Sequence, residues 1–395
     1  MKKILSATLA VSILLSTLGS TAKADVTNDS INVETPAAIL INAENGDILY
    51  SKDEVGVYDI ASVTKVMTML IVSEKIKSGE IKWTDEVTIS EKAWKIGGSK
   101  MFVEVGEKWT VEELFKGLAI VSGNDAAITL AEHVSGTTEQ FVKLMNKKAK
   151  ELGMTSTMFY SPNGLGLGDN ENFDRSTVKD LALLAKHYVE KFPENMKIHG
   201  TVEYTTKAKL NDITQNNANT LLGNYTGATG LKTGMINGNY NIAATAQRGE
   251  TKLIAVLLGS DSASRRSNDA ATILNYGFEQ YTTINKGIKD EVVSNLNVYK
   301  SKSHKNVEVK LEDDLNFIVH INDEAEIKIE DKMPAFLKGE YKKGEVIGER
   351  IVKVNDKEYK QNIIVAENIE KAGIIESFFS TVAMTFKWAI NMVVG

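Results

Sequence analysis

The chain has 395 residues, 43% of them hydrophobic and 25% charged, which is enough for two folded units with a real core. Its 46 Lys and Arg stand against 52 Asp and Glu for a net charge of −6, and no long basic block occurs, which argues against a nucleic-acid partner. Cysteine is absent, so a disulfide framework, zinc–thiolate sites and thiol catalysis are excluded.

The first residues, MKKILSATLAVSILLSTLGSTAKAD, have a basic start at Lys2 and Lys3, an apolar stretch over 4–18 and an Ala22-Lys23-Ala24 cleavage site. That three-part pattern predicts a secretory signal peptide over 1–24, and the apolar stretch is short for a membrane span. Next, AAILINAENGDILYSKD reads as two strands around a turn at Glu44-Asn45-Gly46. ASVTKVMTMLIVSEK follows, with Val63, Val66, Met67, Leu70 and Ile71 at helical spacing, so a core helix is expected from Ser62. Two helical runs, 111–121 and 125–134, are broken by Ser122-Gly123-Asn124, and Thr110 with Glu113 predicts a capping box on the first. TEQFVKLMNKKAKELGM is an amphipathic helix ended by Gly153, and the glycine- and asparagine-rich SPNGLGLGDNEN is a loop. A helix over 177–189 comes next, then two buried strands, NYNIAATAQ and KLIAVLLGS, around Arg248-Gly249-Glu250, and a helix over 264–281.

From about 284 the texture changes to period-2 alternation of apolar and charged residues, which predicts a small, half-solvated antiparallel β unit. The last stretch, KAGIIESFFSTVAMTFKWAINMVVG, places Ile375, Phe378, Phe379, Val382, Phe386, Ile390 and Val393 on one helical face. Such a helix rests at a bilayer interface or docks on the protein's own body, and Glu376 and Lys387 disfavour a full span.

The chemistry-bearing residues form an ordered set. On a helix, Ser62 and Lys65 are neighbours three apart. A serine hydroxyl is a weak nucleophile until a neighbouring base takes its proton. Lysine serves as that base only when burial, here among Val66, Met67 and Met69, disfavours its ammonium form. No histidine among His133, His187, His199, His304 and His320 sits in a triad-like pattern. S-x-x-K also occurs at Ser20 to Lys23 and Ser176 to Lys179, S-x-N at Ser30 to Asn32 and Ser161 to Asn163, and a K-S-G match at Lys77-Ser78-Gly79 competes with Lys232-Thr233-Gly234. What discriminates is setting: Ser62 and Lys65 heading a buried helix, Ser122 and Asn124 between helices, and Lys232-Thr233-Gly234 on a strand. Nothing in the sequence calls for a metal or a cofactor.

That ordered triplet is the signature shared by penicillin-binding proteins and serine β-lactamases. With PAAILINAENGDILYSKD, ASVTKVMT, GLKTG and NDAATILNYGF in order over about 35–283, the chain resembles a D-alanyl-D-alanine carboxypeptidase of the low-molecular-mass penicillin-binding protein group, a serine peptidase of the S11 type. The resemblance implies an α/β (α+β) fold, a β-lactamase-like antiparallel sheet with flanking helices, followed by a small all-β domain and a C-terminal amphipathic helix. The implied division is a catalytic domain over 25–283, a β-rich domain over 284–369 and an anchor helix over 370–395. It also implies roles. Ser62 would be the acyl-ester nucleophile, Lys65 its general base, Ser122 a proton relay and Asn124 an orienting group. Lys232, Thr233 and Gly234 would bind substrate, and the backbone of Ser62 and Met235 would form the oxyanion hole. Arg266 would meet the substrate carboxylate, with Arg265 beside it as the alternative. The substrate would be the peptidoglycan stem pentapeptide, β-lactams would be covalent inhibitors, and the protein would be exported to the outer face of the cytoplasmic membrane, held there by its C-terminal helix.

Two departures stand out. Met235 follows the K-T-G where several relatives carry a polar or aromatic residue, and the glycine-rich loop SPNGLGLGDNENFD has no obvious counterpart role. A β-lactamase, a DD-endopeptidase or transpeptidase on the same substrate, and a non-catalytic wall-binding protein are the competing readings. The loop lacks the E-x-x-x-N-like pattern of a class A β-lactamase, the endopeptidase and transpeptidase use the same residues, and an intact Ser62, Lys65, Ser122, Asn124, Lys232 and Thr233 speaks against a decayed site.

Overall fold

Strands β1 (Ala37–Asn42), β2 (Ile48–Lys52), β3 (Ala228–Ile236), β4 (Asn239–Arg248) and β5 (Thr251–Ser260) form one sheet in the order β2-β1-β5-β4-β3, every pair antiparallel. The order brings the two ends of this region together: β1 pairs with β5, Ala37 opposite Leu258, so the N-terminal hairpin completes a sheet whose other strands arrive some 200 residues later. This is a computed structural model, describing residues 31–373 apart from 168–171, 208–211, 303–304 and 323–325, together with residue 382. The expected signal peptide and nearly all of the expected C-terminal helix lie outside the described residues.

Period-2 alternation sends the sheet's side chains to two cores. Ile39, Ile41, Ile254, Val256 and Leu258 face a large helical layer, whereas Ala38, Leu40, Leu253, Ala255 and Leu257 face the other side. The helical layer contains α1 (Lys65–Lys77), α2 (Glu91–Lys95), α3 (Val111–Ile120), α4 (Asn124–Ser135), α5 (Thr138–Glu151), α6 (Val178–Lys191) and the short α7 (Met196–His199). The far face is covered by α8 (Ala263–Gln280), which buries Ala270, Ile273 and Leu274. Its Gly277 permits close approach, because a Cβ there would lie 2.6 Å from Leu253 and 2.7 Å from Leu40.

Local chemistry sets the helix ends. Thr110 accepts from the Glu113 N–H at 3.2 Å while the Glu113 carboxylate takes the Thr110 N–H at 3.0 Å, the expected capping box. Thr137, Thr177 and Ser262 cap α5, α6 and α8 through the side-chain oxygen alone, each accepting the N–H three residues on. Helix α1 differs: every residue from Lys65 to Ser73 is buried, so it is a central helix with no polar face to spare. Ser62 itself lies in a 3₁₀ turn, Ala61–Thr64, that leads into α1, where a continuous helix was expected. The tighter turn still leaves Ser62 and Lys65 adjacent.

After α8 the chain enters the β-rich region. Tyr281–Asn285 pairs with Asn316–His320, and a six-stranded sheet follows. That sheet departs from the antiparallel expectation at one edge, where Phe336–Lys338 runs parallel to Val292–Tyr299. Ile369 and Lys371 bridge to Tyr341 and Ser301, so the chain runs extended here into the segment expected to begin the tail helix. The K-S-G match at Lys77 ends α1, and Gly79 there is left-handed with φ 77° in open space.

The packing of α8 on the sheet is testable. Leu40→Ala should cost about 2–5 kcal/mol as a core truncation, and Gly277→Val about 1–3 kcal/mol as overpacking. In the double variant the added methyls occupy the vacated space, so chemical denaturation should give a loss smaller than the sum. Full additivity would contradict the contact.

Candidate active site

Three segments converge on one amine, and a fourth, the K-T-G strand, packs beside them. The Lys65 Nζ lies 2.7 Å from Ser62 Oγ, 2.7 Å from Asn124 Oδ1 and 2.6 Å from the Asn163 carbonyl oxygen. Lys65 is fully buried. Two of its partners are carbonyl oxygens, which only accept, so they take two N–H bonds. The remaining direction on the nitrogen faces Ser62: an ammonium would donate to the hydroxyl oxygen there, and a neutral amine would present its lone pair to the hydroxyl proton. Burial, and then the charge of Lys232, push the Lys65 amine well below the ordinary lysine range, against the opposing pull of Asp174 and Asp125.

Each partner is held in turn. Ser62 follows Ala61, a buried residue at φ 50° whose strain is on the order of 1 kcal/mol or more and re-aims the chain before the serine. Ser122 is also left-handed, φ 60°, and makes the sharp turn between α3 and α4 that puts Asn124 at the head of α4. The Asn124 amide donates to the Gly97 carbonyl at 2.7 Å, which fixes its oxygen toward Lys65. Its own N–H donates to the Ser99 carbonyl at 2.7 Å. Asp125 next to it is buried and accepts the N–H groups of Met101 and Phe102, each at 3.0 Å, tying the 97–102 segment down on the turn.

The K-T-G strand lies against the serine. A Cβ on Gly234 would stand 2.7 Å from the Ile60 carbonyl oxygen and 3.1 Å from the Ser62 nitrogen, so only glycine lets β3 approach this closely. Lys232 is buried, donates to the Thr233 carbonyl at 2.9 Å, and is pushed down to about 7 by burial and by the charge of Arg266. Arg266 is 4% exposed, donates to the Ala218 carbonyl at 3.3 Å, and its Nε has no partner. Among the described residues neither cation has a carboxylate within ion-pair distance. Two buried cationic side chains with no counter-charge leave this part of the cleft electropositive wherever Lys232 keeps its proton. Arg265, by contrast, is a half-buried helix-start residue paired with Asp261 and, at 3.0 Å, with Glu34. Met235 turns its side chain to solvent and is 57% exposed.

Ser62, Lys65, Asn124 and Gly234 are therefore in direct contact, Lys232 with Arg266 supplies the positive field, and Ser122 shapes the turn. The sequence-level reading missed the glycine-rich loop. Its Pro162 carbonyl accepts from Thr68 at 2.6 Å, its Asn163 carbonyl accepts from Lys65, and Gly164, φ 93°, packs on the Ala61 carbonyl, where a Cβ would stand 2.1 Å away. Asp174 anchors it. That buried carboxyl accepts from Thr64 Oγ1 at 2.8 Å, Ser161 Oγ at 3.0 Å and the N–H groups of Tyr160 and Ser161. The S-x-N match at Ser161 to Asn163 gave the signal, but its contribution comes from a backbone carbonyl, which residue identity does not reveal.

Comparison with known proteins decides the family. Residues 22–262 match the family Peptidase S11, D-alanyl-D-alanine carboxypeptidase, and residues 278–371 match the C-terminal domain of penicillin-binding protein 5. The chain belongs to the D-alanyl-D-alanine carboxypeptidase family. It is 35% identical to the D-alanyl-D-alanine carboxypeptidase DacF of Bacillus subtilis, with 95% of this chain and 96% of the relative covered. Penicillin-binding protein 5 from Haemophilus influenzae has a similar structure, with a TM-score of 0.70 and 29% identity over 86% of this chain and 99% of that one. Penicillin-binding protein D2 from Listeria monocytogenes, solved in an ampicillin-bound form, covers 63% of this chain and 98% of its own, at a TM-score of 0.57 and 31% identity. The chain is thus a serine-type D-alanyl-D-alanine carboxypeptidase, and the geometry above is the place to look for that activity.

Asp174 gives this carboxypeptidase a measurable stability signature. Burial raises its carboxyl to about 6, against the hydrogen bonds that favour the charge. Because this value lies above the ordinary 3.8, the folded state takes up the proton first, and stability rises as pH falls from about 6 toward 4. Unfolding curves of the wild type and of Asp174→Asn should therefore differ most at neutral pH, where the buried charge is costly, with the wild type gaining on the variant over that window. A pH-independent difference would show that the carboxyl does not titrate there.

Proposed function

We propose that Ser62 is the nucleophile and Lys65 its general base in the removal of the terminal D-alanine from peptidoglycan stem pentapeptides. The observation that carries the reading is the 2.7 Å contact from Ser62 Oγ to an amine whose other contacts are both to carbonyl oxygens. The Ser62 hydroxyl proton passes to Lys65 Nζ as Oγ bonds to the carbonyl carbon of the penultimate D-alanine. The N–H groups of Ser62 and Met235, on segments brought together at Gly234, receive the developing oxyanion, an effect commonly worth about 3 kcal/mol per donor. The C–N bond then breaks, and Ser122 relays the proton to the leaving amine of D-alanine. Water hydrolyses the acyl-enzyme and restores Ser62. Asn124 orients Lys65 and the substrate amide, and Thr233 binds the terminal carboxylate in the field of Lys232 and Arg266. No step calls for a cofactor or metal ion.

The same acylation chemistry makes a β-lactam a covalent inhibitor, its strained amide taking the place of the peptide bond. Ser62→Ala should abolish labelling by a penicillin and release of D-alanine. Retained labelling would move the nucleophile elsewhere. The pH profile has two arms. Activity rises with pH as Lys65 loses its proton, and kcat/KM falls above about 7 in the free enzyme as Lys232 loses the charge that holds the carboxylate. In Lys232→Arg the alkaline arm should move beyond about pH 10, because guanidinium keeps its charge there. An alkaline arm unchanged in that variant would refute the role of Lys232.

Export by the N-terminal segment and attachment by the C-terminal one belong to the same proposal. Supporting it are the basic-apolar-small pattern of residues 1–24 and the apolar face of Phe378, Phe379, Phe386 and Ile390. Deleting residues 374–395 should move the exported protein from the membrane to the soluble fraction. Continued pelleting would contradict attachment by the tail.

A further inference from the structure

Behind the strand that carries Lys232 runs a chain of buried polar groups that the hydrolytic steps do not use. Its starting point is strain. Leu231, buried and immediately before Lys232, lies at φ 99°, a conformation that bulky L residues rarely adopt and that persists only where its surroundings over-determine it. The Leu231 carbonyl faces His199 Nδ1 at 3.2 Å. A carbonyl only accepts, so the proton sits on Nδ1, and Nε2 is left to accept the Tyr188 hydroxyl at 2.9 Å. The Tyr188 oxygen receives the Asn195 amide at 3.3 Å, and that amide also donates to Ser73 Oγ at 2.9 Å. Ser73 lies on α1, about two turns beyond Lys65.

All four side chains are buried, and burial holds His199 down to about 4, so the ring is neutral throughout the working range. Backbone packing closes the arrangement. Gly230, φ 117°, lets the His199 carbonyl approach to where a Cβ would stand 2.5 Å away, and Asn219 donates to the Gly230 carbonyl at 3.2 Å. The chain of hydrogen bonds therefore links the helix of the base to the strand of the carboxylate-binding residues.

We propose that His199 is a positioning residue: its Nδ1–H pins the strained Leu231 carbonyl so that Lys232 and Thr233 present their side chains to the substrate carboxylate. Tyr188 acts through it, by holding the tautomer that puts the proton on Nδ1. The inference rests on the carboxylate-binding role assigned above to Lys232 and Thr233. It sets His199 apart from a residue that merely fills the core, because its loss should affect anionic ligands selectively.

The experiment compares acylation by a penicillin with acylation by its methyl ester, which lacks the anion, in the exported full-length enzyme. His199→Phe keeps a ring and removes both hydrogen bonds. The preference for the free acid should fall about tenfold, the size of one charge-assisted hydrogen bond, while the ester reacts at nearly the wild-type rate. With the peptide substrate the loss should appear mainly in KM. His199→Asn, whose amide restores a donor toward Leu231, should regain part of the preference, and Tyr188→Phe, a milder change, should give a smaller loss of the same kind. Equal losses on acid and ester in Tyr188→Phe, or an unchanged preference in both Tyr188→Phe and His199→Phe, would overturn the proposal. The wild-type enzyme separates this result from the underlying reading: if it shows no preference for the acid at all, the carboxylate-binding assignment itself fails.

Discussion

The structure is organised around a lysine amine placed where its charged form is expensive. An ammonium buried without a counter-charge costs several kcal/mol, and each unit by which its pKa falls is worth about 1.4 kcal/mol. Lys65 has a pKa that burial lowers well below the ordinary lysine range, which favours the neutral amine. It has no carboxylate partner within ion-pair distance among the described residues, only two carbonyl oxygens and the serine hydroxyl. Those carbonyls decide the direction of chemistry. They take two donors, so an amine that has lost its third proton meets Ser62 as an acceptor.

Other features of the site follow from holding that amine still and dry. Helix α1 is buried on every side through Ser73, which keeps water from the Lys65 amine. The turn at Ser122 and the loop at Asn163 each deliver one carbonyl oxygen, and each is tied down by a buried carboxyl, Asp125 for the first and Asp174 for the second. These carboxyls oppose the fall in the basicity of Lys65, and Lys232 reinforces it. The basicity of Lys65 is thus set by a balance between charges several segments apart. The glycines serve the same geometry, since Gly234 and Gly164 bring two backbones to within contact of the residues flanking Ser62.

Much of this was legible beforehand because helices and strands announce themselves through periodicity. The apolar runs NYNIAATAQ and KLIAVLLGS around Arg248-Gly249-Glu250, the spacing from Val63 to Ile71, and the Thr110 and Glu113 pair each found its element. That Ser62, Lys65, Asn124 and Gly234 lie together was legible because side-chain identity marks them and three motifs fall in order. The glycine-rich loop was opaque for the opposite reason. Asn163 acts through its backbone, and Asp174 acts by accepting hydrogen bonds from residues far away in sequence, so neither leaves a local pattern. The 3₁₀ turn at Ser62 and the parallel edge strand Phe336–Lys338 escaped because short elements have no period to detect. Arg266 is buried and Arg265 is not, a difference that two adjacent arginines at a helix start do not disclose.

The central claim is that Lys65 is a neutral amine in the resting enzyme, and nuclear magnetic resonance tests it most directly. Lysine labelled with ¹³C at Cε, with the Lys65 signal assigned through Lys65→Arg, reports protonation by its chemical shift as pH is varied. The account predicts a midpoint far below that of the surface lysines. A Lys65 midpoint near the ordinary value of about 10.4 would mean a permanent ammonium and would contradict its role as the base.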